Sequence, residues 1–585
     1  DTVTFTSGAN LSVDGTIKLD GNYPTGTANV ALGDTALDSV ASSGTHNTVI
    51  GNQSGTAITT GDHNTAVGSC ALITLSTGSN NTAIGDRSLR NNTGGENTSV
   101  GAFSLEANVG GECNTAVGRT SLCGNTTGGC NTAVGFQSLK ANTTASTNTA
   151  VGVEAMVSTT TGFGTAVGYG AMKANTTSSG NTAMGYQAMC SVTTGGNNTA
   201  FGLEALKSVV TGTNNVAVGR DALELNTGSH NTAVGYLALG VNTSGASNVA
   251  VGCGALLDAT TADKNTAIGL GAAANTTTGG CNTVVGMGAL NINTTGQYNV
   301  AIGCGALNAN TTASENVAVG MESLKDNTTG YANVAMGRQA LCTNTTGHSN
   351  TAIGKESLKA NTTACYNTAV GMEALKAQTT GISNVAVGYY SLVASTTGAC
   401  NVAVGVQAGD SVTDGLANTL IGSFAGKDLA AGGGNVVVGS MKPDGVYSPP
   451  YDLGSSDNNR IVLGSTTSTN AYIQIDWTVT SDLRDKTNIE DVPHGLNFIN
   501  QITPIKYNFK TSREDDTPNG NKKYGFSAQE ILTLEGENPI IVDNEDTDKL
   551  KITNAHLIPV LVNAIKELST QNEDLKSRIE TLESN

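Results

Sequence analysis

Charge is scarce in this chain, aromatic rings are scarcer, and proline is missing from most of it. Charged residues are 13% of the 585 and aromatics 4%, the former about half the usual share. All nine prolines fall at Pro24 or at Pro443 and beyond. Such exclusion suits a backbone in which every amide donates to a neighbouring segment, because proline has no amide hydrogen to give. No apolar run approaches the roughly 18 residues of a membrane span, so no membrane insertion is expected. A net charge of −18 argues against nucleic acid as a partner, since phosphate recognition needs a basic surface. The eleven cysteines include no CxxC pair, which removes the usual zinc and redox spacings. No metal and no cofactor is expected. Cys113, Cys130, Cys281 and Cys400 each stand just before the first residue of a repeat, in one register. Mostly free thiols are expected, as in a protein made in a reducing cytoplasm.

What fills the chain is Gly, Asn, Thr and Ala in a fixed order. The unit is Asn-Thr-Ala-Val-Gly, two variable residues, Ala-Leu, two more, Asn-Thr-Thr-Gly, and two more. Its first residues run from Asn29 and Asn47 through Asn148, Gly164 and Asn181 to Asn418 and Asn435, 25 units nearly all 17 residues apart. A short fixed period marks a solenoid, in which one rung cannot bury its own face alone. Seventeen residues with a turn leave no room for a helix pair, and Thr-Ala-Val alternates with the period of a strand. The expectation is a mainly β fold: a β-solenoid or β-roll with two short strands per rung, at Thr-Ala-Val and around Ala-Leu. At about 4.8 Å per rung the array would extend on the order of 120 Å.

The fourth residue of each unit is always large and apolar, and the third is nearly always Ala. Both faces of the first strand are thus partly apolar, which implies a partner on the outside and lateral association of chains. The repeated Asn-x-Thr triplets read as turn chemistry rather than sugar-attachment sites. Glu154, Glu204, Glu322 and Glu373 occupy one variable position. They could serve as a carboxylate pair for glycan hydrolysis, but solvated side chains on an outer turn are the expectation. Residues 1–28 read as a β lead-in, 29–440 as the repeat shaft, and 441–480 as a distal tip or connector. Within the last, 459–464 resembles one final rung. Residues 471–479, with the lone Trp477, read as a strand.

Composition changes near residue 480. The last 105 residues hold 31 of the 76 charged groups and only four glycines. At the junction stands Ser481-Asp482-Leu483-Arg484-Asp485-Lys486-Thr487-Asn488-Ile489. A Ser–Lys pair can do acyl chemistry when the lysine is desolvated and serves as base. Spacing alone is a weak signal. The blocks that follow add to it: Leu496-Asn497-Phe498-Ile499, Pro504-Ile505-Lys506-Tyr507-Asn508-Phe509, Tyr524-Gly525-Phe526-Ser527-Ala528-Gln529-Glu530, and the run His556 to Leu568. In this order they resemble the intramolecular chaperone domain of phage tail spikes, tail fibres and endosialidases, the self-cleaving tailspike peptidase family, over 481–585. The repeats resemble, in style, the β-roll heads of trimeric autotransporter adhesins.

The first resemblance implies a domain that assembles as a homotrimer, helps an upstream β-structured trimer to fold, and cuts itself off at Thr480–Ser481. It implies Ser481 as nucleophile and Lys486 as base, with self-cleavage only and no turnover of other substrates. Arg484 and Asn488 are candidates to position the scissile carbonyl or stabilise its oxyanion, with a salt bridge or a turn cap as the plainer role for each. Ile558, Ile565, Asn572 and Ile579 alternate with Leu561, Leu568, Leu575 and Leu582 at heptad a and d positions, a coiled coil over about 556–585. By composition these heptads read as two-stranded; the resemblance implies three.

The expected architecture is a trimeric β-solenoid followed by a small α+β chaperone domain ending in a coiled-coil helix. The expected function is that of a viral tail fibre or appendage for host-surface attachment, made in the host cytoplasm and working outside the cell. Its partners would be a glycan or protein receptor and other virion proteins. A bacterial trimeric surface adhesin and an ice-binding β-solenoid are the alternatives, and a polysaccharide-degrading spike is a weaker one.

Overall fold

The computed structural model describes residues 17–18, 26–468, 481–510 and 513–584. The chain divides into two units. One comprises Asp1–Gly439 with Tyr451–Val462, the other Ser440–Pro450 with Leu463–Asn585.

The first unit is a parallel β-solenoid. Each rung contributes one strand, usually of three residues, such as Thr132–Val134 or Val300–Ile302. Each strand pairs with the same residues of the next rung, as in Thr115↔Thr132, Ala116↔Ala133 and Val117↔Val134. Stacking begins with Ile17–Lys18 against Val30–Ala31. The middle residue, nearly always Ala, is buried, and the two beside it face outward. Beneath the alanines lies a column of Leu and Met side chains, Leu122, Leu139 and Met156 among them, with no exposed surface.

The second strand expected around Ala-Leu does not form. Gln137 and Leu139 have φ of +59° and +49°, a left-handed conformation that no strand can hold. The leucine still reaches the neighbouring rung, since Leu139 N donates to Ala155 O at 3.0 Å. A left-handed leucine costs roughly 1–2 kcal/mol, and it persists because the buried side chain and the inter-rung bond both require that direction. Gly135 marks the sharper corner. Its φ is +134° and an added Cβ would lie 2.4 Å from Gly152 O, so the stack closes there only over glycine.

Two columns of asparagine run inside. Asn131 donates its backbone N–H and its Nδ2 to Asn114 Oδ1, at 2.9 and 3.0 Å, and Nδ2 also reaches Ala145 O. Asn148 does the same to Asn131. The asparagine of Asn-Thr-Thr forms the second column, Asn125 to Asn108 and Asn142 to Asn125, both at 2.7 Å. Asn142 is wholly buried, so its sequon is turn chemistry, as expected. The threonine after it spends its hydroxyl on the next rung: Thr126 Oγ1 donates to Thr143 O at 2.9 Å.

The isolated carboxylates are not free solvated groups. Glu154 meets Lys173 at 2.6 Å, Glu204 meets Lys207 at 2.9 Å, Glu322 meets Lys325 at 3.7 Å, and Glu373 meets Lys376 at 2.9 Å. All four are at least half-buried. Each sits on a turn whose neighbouring rung, or own next turn, carries a lysine. Glu356 and Glu373, at this position on adjoining rungs, come together on Lys376, at 3.0 and 2.9 Å, so the two carboxylates are held there as an ion-pair cluster.

The final rung expected at 459–464 is present. Val436 N donates to Arg460 O at 2.8 Å, and Arg460 N donates to Asn435 Oδ1 at 2.9 Å. The offset is 25 residues instead of 17, and Ser440–Pro450, which lies within this longer rung, belongs to the second unit. Leu453 and Val462 join the solenoid core. The strand expected over 471–479, with Trp477, lies outside the described residues.

The second unit is α+β. Helix α1 (Leu496–Ile499), helix α2 (Ala528–Glu535) and helix α3 (Asn554–Glu583) accompany an antiparallel hairpin of Ile505–Lys510 and Pro518–Gly525. Phe498, Ile502, Ile531, Ile541, Val542, Leu557 and Val560 form its core. Ser527 caps α2 by accepting from Glu530 N. No helix among the described residues is long and apolar enough to cross a membrane.

Candidate active site

The site is built on one short turn. Asp482 is extended (φ −68°, ψ 132°) and caps a 3-10 turn over Leu483–Asp485. Its Oδ1 accepts from Arg484 N at 2.9 Å, and the same carboxylate holds the Arg484 guanidinium, with Nη2 at 2.6 Å from Oδ2. These bonds hold the Asp482 carboxyl below the usual carboxylate range. The turn closes with Lys486 N donating to Leu483 O at 3.2 Å. A turn of that length returns residue 486 to the side of residue 481, and Lys486 Nζ donates to Ser481 Oγ at 2.8 Å.

Nucleophile and base candidates are therefore within hydrogen-bond reach. Thr480, the other half of the expected scissile bond, lies outside the described residues. Arg484 is turned onto Asp482 and not toward the Ser481–Lys486 pair. Asn488 sits two residues past Lys486 in the left-handed region, φ +52°, at a bend in the chain. Ser481, Arg484, Lys486 and Asn488 are exposed, and Asp482 is half-buried. Sequence reading did not single out Asp482, although its place two residues before an arginine, with a free amide to cap, is the ordinary mark of such a turn.

Helix α3 steadies the stretch that follows. Glu567 Oε2 accepts from Leu496 N at 2.7 Å, and Asn563 Nδ2 donates to His494 O at 2.9 Å. Glu535, at the end of α2, receives three successive amides, those of Ile540, Ile541 and Val542, at 2.9, 2.7 and 3.0 Å. Among the described residues no cluster of His, Cys, Asp or Glu could hold a metal ion.

Residues 481–534 match the family model described as chaperone of endosialidase. None of the curated proteins compared matches the chain. The match begins at Ser481, the first residue of the turn, and ends within α2. The chain thus carries a chaperone-of-endosialidase segment after a long parallel β-solenoid, and in this pairing it fits an endosialidase-type tail spike.

Proposed function

We propose that the chain is the shaft of a homotrimeric tail fibre or virion appendage for host-surface attachment, and that its C-terminal domain gathers three copies and is then released by cleavage between Thr480 and Ser481. The observation that carries this reading is Lys486 Nζ at 2.8 Å from Ser481 Oγ, at the start of the matched segment. Ser481 is the nucleophile. Its hydroxyl attacks the preceding carbonyl as Lys486 takes the hydroxyl proton, the peptide bond gives way to an ester, and water hydrolyses the ester. For that step Lys486 must be neutral, which needs desolvation. Both groups are exposed in the single chain, so neighbouring copies supply the dry surroundings and cleavage waits for assembly.

Two surfaces support association. The outward residue at the end of each strand is apolar and only partly covered, with Met184 40% and Phe201 38% exposed. Along α3 the a and d residues are uncovered too, Ile558 at 61% and Ile565 at 64%, while Leu557, Val560 and Ala564 of the same helix are buried. Identical rungs offer many registers to a folding chain, and an assembled C-terminal domain selects one. Once that domain is cut away, a rod that unfolds has lost its registering piece, and its persistence becomes kinetic. A host glycan or protein receptor and other virion proteins are the partners this use requires.

The test is to express the chain beside Ser481→Ala and Lys486→Gln and weigh the products under denaturing conditions. Fragments ending at Thr480 and starting at Ser481, absent from both variants, are the expected result. Fragments that persist in Ser481→Ala would sink the mechanism, and an intact parent chain would sink the cleavage. Native mass of the Ser481→Ala chain reads the three copies separately.

A further inference from the structure

Of the eleven cysteines, only Cys113 and Cys130 occupy the same rung position on adjoining rungs. The strands that follow them pair in register, Thr115 opposite Thr132. Both cysteines have left-handed backbones, φ +59° and +56°, both are exposed, and their amides bond downward in the same way, Cys113 N to Gly95 O and Cys130 N to Glu112 O. The spacing of side chains in this column is displayed by its own histidines: His46 and His63 stack with centroids 4.8 Å apart and planes 1° from parallel. Backbones one rung apart, about 4.8 Å by the spacing of paired strands, lie inside the Cα separation of roughly 4.4–6.8 Å that disulfides span.

From this juxtaposition we infer that Cys113 and Cys130 form a reversible disulfide clasp between two neighbouring rungs once the folded protein meets an oxidised low-molecular-weight thiol couple. The clasp is independent of the self-cleavage reading.

The order of events follows from the neighbours. Cys113 Sγ donates to Glu96 Oε2 at 3.1 Å. That bond, with the charge of the same carboxylate and the nearby Cys130, pushes its thiol up to about 11. Cys113 is therefore a poor first nucleophile. The Cys130 thiolate attacks an external disulfide such as oxidised glutathione, forms a mixed disulfide and expels one glutathione thiolate. Cys113 then loses its proton to solvent base and its thiolate attacks the Cys130 sulfur, expelling the second glutathione as a thiolate that takes up a proton from solvent. Two protein thiols lose two electrons and two protons, and one external disulfide becomes two thiols. The product closes a loop from residue 113 to 130 and ties rungs that otherwise cohere only through hydrogen bonds and packing.

The experiment uses the full chain, incubated with oxidised glutathione, alkylated at its remaining thiols, digested without reductant and mapped by mass spectrometry. A peptide pair joined through Cys113 and Cys130, with both cysteines lost to alkylation together, is expected. In Cys113→Ser the expected product is a glutathione adduct at Cys130, and in Cys130→Ser adduct formation at Cys113 slows at least tenfold. Ser247, Ser349 and Ser383 stand in this column elsewhere, so either variant should fold, and far-UV circular dichroism checks that it has. Stable glutathione adducts on the unsubstituted chain without a link, or links only between separate chains, would overturn the clasp.

Discussion

Leu420 fills the space that a leucine six residues later fills in most rungs, because its own rung carries Gly426 there. Leu420 is fully buried, and a Cβ on Gly426 would lie 2.8 Å from its Cδ2, while one on Gly409 in the rung before would lie 2.7 Å from Cδ1. Val49 and Gly55 show the same exchange, with a contact of 3.2 Å. The core therefore conserves volume and not residue position. Gly426→Leu alone should destabilise the solenoid by about 1–3 kcal/mol through overpacking. Leu420→Ala alone should cost about 2–5 kcal/mol through the void it opens. Joined in one chain they should recover most of both losses. Denaturant unfolding of the three variants reads this, and additive losses would refute the exchange.

The second asparagine column is interrupted, and three of the interruptions leave a loose end. Asn242 passes Nδ2 back to Asn226 Oδ1 at 2.5 Å, but the next rung has Ala259, and Asn242 Oδ1 is buried without a donor. Asn142, facing Thr159, and Asn361, facing Gln378, share this condition. Ala259→Asn should extend the column, supply the missing donor and reach Ala262 O as its neighbours do. The expected gain is about 0.5–1.5 kcal/mol, the net value of a hydrogen bond, seen as a raised midpoint of thermal unfolding. A fall would mean that the site is too tight for the amide.

Acid should weaken the solenoid partly through Glu356. Its carboxylate lies 3.0 Å from Lys376, 3.4 Å from Lys359 and 3.8 Å from Lys355. The Lys376 hydrogen bond foremost holds the carboxyl below its ordinary value of 4.5. A carboxyl depressed in the folded state stabilises above its unfolded pKa, and the benefit is lost as pH falls through the lower folded value. Glu356→Gln should lower the unfolding midpoint near neutrality and leave it unchanged at about pH 3. An equal loss at both pH values would assign the effect to packing.

Ile565 tests the uncovered stripe of α3. Ile565 is 64% exposed in the single chain, so Ile565→Asp removes little packing within its own domain. Loss of the assembled species in native mass spectrometry, with secondary structure retained, is expected, and cleavage should fall with it. Leu557 is the contrast, being 5% exposed. Leu557→Asp should unfold the domain itself. An unchanged assembly in Ile565→Asp would remove the stripe from the interface.

Much of the solenoid was legible because its period is a physical constraint repeated 25 times. Proline exclusion, the Thr-Ala-Val strand and the final rung at 459–464 all follow from backbone pairing that no rung can break alone. The second strand was misread because Ala-Leu has strand-like apolar spacing, whereas Leu139 lies at φ +49°, a value no spacing reveals. Glu154 was misread because its partner Lys173 is set by stacking, whereas Glu204, Glu322 and Glu373 have a lysine three residues on, a pairing the local sequence did display. The Ser481–Lys486 approach was visible from spacing and the blocks downstream. The bonds from Glu567 to Leu496 and from Asn563 to His494 span about 70 residues, and no local pattern announces them.

Each rung gives the one above it the same amide, carbonyl and asparagine oxygen that it takes from the one below. Excising one unit in register, such as 299–315, would rejoin the rung of Asn282 to that of Asn316 with every lost bond replaced by its equivalent. Height is then a quantity that unequal recombination between repeats can raise or lower in whole steps, without inventing new packing. The reach of this protein is in that sense a tally kept in its gene.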